Sequence, residues 1–185
     1  MWECEPVITE HREVAPATPL MILREPSVAR QARPGQFVML RVGAGLDPLL
    51  RRPFSLCGRV GGDGFALLYR VVGRGTALLA EQRVGERLQL LGPLGNGFPP
   101  EPSAPLILAG GGVGVAPLLF VAQELLAREE RGFAFLAGFP HREEVLLPRE
   151  VLQLDLEPEI ATDDGTLGHA GPVTDLLASH LAGGT

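Results

Sequence analysis

Arg52 and Ser55, in the run Arg51-Arg52-Pro53-Phe54-Ser55, place a guanidinium fork and a hydroxyl three residues apart, a pairing suited to a phosphate. Pro53 removes one ladder donor and fixes its own backbone angle, so a strand carrying it belongs at an edge or a rim. Ser55 and Cys57 lie two apart and share one face of that strand. By itself Arg51-Arg52 also reads as a solvated edge that blocks sheet aggregation.

A second segment, Leu68-Tyr69-Arg70-Val71-Val72-Gly73-Arg74-Gly75-Thr76, holds the chain's one tyrosine, then a cation and a glycine-spaced turn. A helix is expected from Ala77 to Glu81, with Thr76 able to cap its free amides. An aromatic face, a cation and helix-start amides together suit a planar ring carrying a diphosphate. A third segment, Leu106 to Pro117, reads as strand, glycine turn and helix start. Gly110, Gly111, Gly112 and Gly114 would let phosphates approach the backbone. The third glycine of the dinucleotide fingerprint is missing, because Pro117 stands there. A tight strand-to-helix turn without ligand explains the same glycines.

Other polar groups receive structural readings. Asp163-Asp164-Gly165 lacks the alternating acids of a calcium loop and reads as a turn. His11, His141, His169 and His180 show no metal-ligand spacing. Glu129-Glu130-Arg131 and Arg142-Glu143-Glu144 read as solvated helix ends. No residue is assigned a general acid or base role, and none a metal.

The elements that must position these groups fall into two patterns. From Pro6 to Gly92, short apolar runs separated by Pro34-Gly35, Gly61-Gly62-Asp63-Gly64 and Gly85-Glu86 indicate an antiparallel barrel or sandwich, with one helix. Pro99 to Pro105 is a stiff connector. Beyond it, strands at 106–109, 133–138 and 159–162 alternate with helices at 115–128 and 172–180, the order of a parallel sheet. The helix face of Leu118, Leu119, Val121, Ala122, Leu125 and Leu126 is expected against that sheet. Three units follow: 1–98, a linker 99–105, and 106–185.

The 185 residues carry 22 acids against 16 basic residues, all of them arginine, for a net charge of -6. Scattered arginines under an acidic balance exclude a nucleic-acid footprint. The start, Met1-Trp2-Glu3-Cys4-Glu5, has no secretory pattern, which makes a cytoplasmic address the expectation. Glycines and prolines interrupt the uncharged stretch 102–123, so no membrane span is expected. Two cysteines, Cys4 and Cys57, supply half of the roughly four thiolates of an iron–sulfur cluster. Cys57 reads as a small buried residue.

Arg52 to Ser55, Tyr69-Arg70 with Gly73, Gly75 and Thr76, then Gly92-Pro93-Leu94-Gly95-Asn96-Gly97-Phe98, then Gly110 to Pro117, resemble the ferredoxin-reductase superfamily in order and spacing. Within it, and through the stretch Ala161 to Leu177, the chain is most similar to the electron-transfer subunits of two-subunit, NAD-linked dihydroorotate dehydrogenases. The resemblance implies a six-stranded antiparallel FAD-binding barrel followed by a parallel-sheet NAD-binding domain, shorter than the family's. It implies FAD contacts from Arg52, Pro53, Phe54, Ser55, Leu68, Tyr69, Arg70, Gly75 and Thr76. Gly110, Gly111, Gly112 and Gly114, with Gly92 to Gly95, would face the nicotinamide nucleotide. It also implies a catalytic dihydroorotate-oxidising partner in a hetero-oligomer, with electrons passing through FAD to NAD+. Related flavoprotein subunits of ferredoxin- or sulfide-linked NAD(P)H oxidoreductases are a second resemblance, and a non-catalytic binding subunit of the same fold a third reading. The family's cluster-binding cysteines have no counterpart here, so no cluster is expected within this chain.

Overall fold

The computed structural model describes residues 3–43, 47–98 and 106–183. The connector expected at 99–105 lies outside them. An antiparallel sheet holds β1 (Glu3–Cys4), β2 (Val7–Ala15), β3 (Thr18–Arg24), β4 (Phe37–Leu40), β5 (Arg52–Val60), β6 (Gly64–Leu68) and β7 (Leu90–Leu94), in the order β1-β7-β4-β5-β6-β3-β2. Its two ends meet. Ile8 donates to the Glu86 carbonyl at 2.9 Å, Gly85 to Ile8 at 2.8 Å and Leu88 to Pro6 at 3.1 Å. Six strands therefore close a barrel, and the two-residue β1 extends β7 at its edge. The interior is filled by Ile8, Met21, Leu23, Val38, Leu40, Leu56, Phe65, Leu67 and Leu90, contributed by inward positions of the strands.

Two helices accompany the barrel where one was expected. α1 (Pro26–Gln31) has Pro26 in its first turn and the Glu25 carboxylate accepting from the Ser27 amide and hydroxyl. Proline early in a helix wastes no hydrogen bond, which is why so short an element forms in what reads as a loop. α2 (Arg74–Ala80) begins earlier than Ala77, with Gly73 as its cap residue and Thr76 inside its first turn.

The second sheet is parallel, in the order β11-β10-β9-β8, from β8 (Leu106–Gly111), β9 (Phe133–Phe139), β10 (Glu159–Thr162) and β11 (His169–Ala170). α3 (Val115–Ala127) and α5 (Val173–Gly183) pack on it, and α4 (Arg149–Leu152) adds one turn. The expected α3 face is used as read: Leu119, Ala122 and Leu125 are buried, while Leu118, Val121 and Leu126 pack at the margin. One core then runs between the sheets. Ala15, Leu20, Cys57, Ala66 and Leu68 of the barrel join Leu108, Val115, Leu119, Phe135 and Leu152, while Phe120 of α3 belongs to the barrel's cluster. Apolar contact of this extent fixes the two sheets relative to each other.

Candidate functional site

β5 and β6 form a ladder from Val60↔Gly64 to Leu56↔Leu67, and the site lies where that ladder stops. From Arg52 to Ser55, β5 pairs with β4 instead, with Pro53 opposite Met39 and Ser55 opposite Phe37. The proline thus sits on the rim, where its missing donor leaves no gap in a central ladder. Phe54 and Leu56 point into the barrel, while Ser55 is exposed on the outer face. Cys57 shares that outer face but is covered by the second sheet's core. The same-face expectation holds, with the two residues meeting different surroundings.

Arg52 leans on the start of α2. A Cβ at Gly75 would meet the Arg52 Nε at 3.1 Å, so a larger residue would push the guanidinium a few tenths of an ångström away from the helix's first turn. The Arg52 side chain donates to the Leu50 carbonyl at 2.9 Å. Thr76 Oγ1 accepts from the Val72 and Gly73 amides at 3.0 and 3.2 Å and shapes the entering loop. The amides that open the helix have no intrahelical acceptor. A guanidinium, helix-start amides and an exposed hydroxyl therefore border the gap.

Phe54, Leu68 and Tyr69 are buried beside the end of that ladder. Tyr69 is 3% exposed, and its ring packs edge-on to Phe54 with centroids 5.5 Å apart. Its hydroxyl is 2.9 Å from His11 Nε2, while His11 Nδ1 lies 2.8 Å from the Gln82 carbonyl. A carbonyl accepts only, so Nδ1 carries the proton and Nε2 accepts from the tyrosine. Burial raises the Tyr69 hydroxyl's pKa and keeps it neutral. The aromatic face expected of Tyr69 is turned inward, because the alternation that exposes Arg70 buries its predecessor. His11 holds the hydroxyl from β2, two strands along the sheet.

Arg70 reaches the other way. Its Nη1 and Nη2 donate to Glu144 Oε2 and Oε1 at 2.5 and 2.9 Å. Glu144 lies in a 3-10 turn, Arg142–Glu144, directly after β9. The reading of Glu144 as a solvated helix end is corrected: its side chain is 13% exposed, against 65% for Glu143. No local pattern marks it, since its partner is 74 residues away.

Gly111 and the 3-10 turn Gly112–Gly114 stand at the carboxyl ends of the parallel strands, where open α/β sheets bind ligands. The glycines differ in purpose. A Cβ at Gly110 would meet Leu118 at 2.8 Å, so this glycine serves close helix–strand packing, and Gly112 needs its φ of +50°. At Gly114 a Cβ would meet nothing within 4 Å, leaving room for a ligand. Asp163-Asp164-Gly165 forms the expected turn at a neighbouring strand end, with Asp164 accepting from the Thr166 amide at 3.0 Å. Gly92 to Leu94 belong to β7 and only Gly95 lies beyond the strand, where Gln36 donates to its carbonyl at 2.7 Å.

The cysteines do not fit a cluster. Burial pushes the Cys57 thiol up to about 12, and burial with Glu25 and Glu3 nearby pushes Cys4 to about 11. Among the described residues no group of three or more His, Cys, Asp or Glu side chains is placed to hold a metal, and no helix is long and apolar enough to cross a membrane.

The architecture is that of ferredoxin-reductase-like FAD/NAD-binding proteins. An NADH-dependent reduced ferredoxin-NADP oxidoreductase superposes with a TM-score of 0.82 at 26% identity, over 97% of this chain and 64% of that one. Phthalate dioxygenase reductase gives 0.72 at 20% identity, over 88% and 52%. The chain belongs to the dihydroorotate dehydrogenase B (NAD(+)) electron transfer subunit family. It is 44% identical to that subunit of Desulforamulus reducens over 91% of this chain and 64% of the relative, and 42% identical to that of Bacillus caldolyticus over 92% and 67%. The chain thus spans about two thirds of the length of these curated relatives. No protein-family model matches it.

Proposed function

We propose that this chain is the flavin- and nucleotide-binding part of an electron-transfer subunit, linking a dihydroorotate-oxidising partner to NAD+ through FAD in pyrimidine biosynthesis, in the cytoplasm. The observation that carries it is the gap beyond Leu56↔Leu67, bordered by Arg52 against Gly75 and by the exposed Ser55. The units 1–98 and 106–185 are the FAD and NAD domains of this reading.

Bound FAD supplies two-electron chemistry between partner and nicotinamide. The chain's residues bind and orient. Arg52 offsets diphosphate charge beside the first turn of α2, and Ser55 Oγ is placed to hydrogen-bond the flavin on the rim. The peptide groups of Leu68, Tyr69 and Arg70 line the opposite side of the gap. Gly111, Gly112 and Gly114 leave their backbone open to the nicotinamide nucleotide, while Gly110 seats α3. The buried core between the sheets holds the barrel and the parallel sheet together. An iron–sulfur centre finds no ligand set among the described residues, so no step is placed on one.

The test is to purify the chain, titrate it with FAD, and assay dihydroorotate-dependent NAD+ reduction with a co-expressed dihydroorotate-oxidising subunit. A flavin absorbance band and a stable complex are expected. Colourless protein that takes up no added FAD overturns the reading.

A further inference from the structure

We infer that Glu144 is a positioning residue for the flavin cleft, holding the Arg70 guanidinium of the barrel in one orientation from the parallel-sheet side. This rests on the flavin reading and deepens it. The contact is a parallel fork of two N–H···O bonds, at 2.5 and 2.9 Å. Such a fork restricts rotation of the guanidinium plane as a single bond does not.

Both ends are anchored. Arg70 sits between Tyr69, whose amide donates to the Pro19 carbonyl at 3.2 Å, and Val71, whose amide donates to Ala17 at 2.8 Å. The buried ring of Tyr69 and its bond to His11 add a third fixed point. On the other side, the Glu144 amide donates to the His141 carbonyl at 3.0 Å, and the Arg142 amide to Thr166 Oγ1 at 3.0 Å. The turn after β9 is thereby tied to the loop that follows β10. His141 Nε2 lies 3.6 Å from Glu144 Oε1 and gives the carboxylate a second neighbour.

An exposed ion pair would contribute little. Here the carboxylate is 13% and the guanidinium side chain 36% exposed, and the pair joins the barrel to the turn after β9 with a bidentate geometry. The fork consumes two of the five guanidinium N–H groups, so the other three remain for a ligand, in a plane that Glu144 sets. Because the pair is close to neutral, Arg70 offers directed donors, and the cationic role toward a diphosphate falls to Arg52. Arg70 pulls the Glu144 carboxyl below its ordinary range, so the fork is present at neutral pH.

The experiment compares wild-type chain with Glu144→Gln, Arg70→Gln and the double variant, reading FAD affinity by fluorescence quenching and the bound flavin's visible circular dichroism. Each single variant is expected to weaken FAD about tenfold, as the loss of one oriented charge-assisted contact would. The double variant is expected to be no weaker than the worse single one. The flavin dichroism should change alike in both singles, a signal that a loss of stability alone leaves unmoved. Arg70→Lys, which keeps the charge and loses the fork, should behave as Glu144→Gln does and supports the test if that variant fails to fold. Wild-type affinity in Glu144→Gln or in Arg70→Lys, tighter binding in Glu144→Gln, or additive losses in the double variant each overturn the inference while leaving the flavin reading intact. A wild-type chain that takes up no FAD overturns both.

Discussion

The side-chain amide of Gln123 pairs with the backbone of Arg59 in both directions: its Oε1 accepts from the Arg59 amide at 2.7 Å and its Nε2 donates to the Arg59 carbonyl at 2.8 Å. The same Nε2 donates to the Leu152 carbonyl at 3.0 Å. One residue of α3 therefore substitutes for a neighbouring strand at the end of β5 and also pins α4. Arg59 completes the joint. Its guanidinium donates to the Ala29 carbonyl of α1 and to that of Ala32 just beyond it, at 2.8 and 2.6 Å, pairs with Glu124, and lies 5.1 Å from the centroid of the Phe120 ring.

Gln123→Leu keeps the volume and removes all three bonds, leaving an amide and two carbonyls without these partners. We expect a loss of about 2 to 3 kcal/mol, within the range for a buried orphaned amide. The check is the urea midpoint, with the slope unchanged if the native compactness is retained.

Gly138→Ala tests the seat of α5 on β9. An added Cβ would lie 2.7 Å from Val173 Cβ, an atom that cannot swing aside, so the helix must shift. Overpacking of this kind costs about 1 to 3 kcal/mol. Thermal unfolding should move down by several degrees, and an unchanged midpoint would contradict the packing described.

Arg52→Gln should weaken FAD binding about tenfold to a hundredfold while leaving the fold unchanged. Losing a charged donor to a phosphate is worth about 1.5–3 kcal/mol. Intact far-ultraviolet dichroism with unaltered FAD affinity would count against the cleft.

The Arg70–Glu144 fork makes acid stability predictable. Arg70's hydrogen bond, then its charge, lowers the Glu144 pKa from the ordinary 4.5. A lowered carboxyl pKa stabilises the fold above the unfolded value and loses that contribution as pH falls through the folded value. Wild type should therefore lose more stability than Glu144→Gln between neutral pH and pH 3. Parallel curves of unfolding midpoint against pH would refute this.

Cys57 should resist thiol reagents at pH 8 in the native protein and react on unfolding, because burial pushes its thiol up to about 12. Cys4, partly exposed and raised to about 11, should label slowly. Rapid native labelling of Cys57 would show that the core between the sheets opens.

Much of this was legible along the chain. Pro53 announced a rim, Leu106 to Pro117 announced strand, turn and helix, and Glu159–Thr162 was readable as a strand, because each depends on preferences acting within a few neighbouring residues. The short α1 escaped because its signal is one capping carboxylate and one proline.

Tertiary structure alone decided who meets whom. Tyr69 turns its ring inward to a histidine 58 residues earlier, Gln123 pairs with backbone 64 residues away, and Glu144 leaves the solvent for Arg70. Sequence sets these residues' types and local geometry. Their partners follow from strand register and from the packing of α3 between two sheets, which bring distant segments to hydrogen-bond distance only in the folded chain.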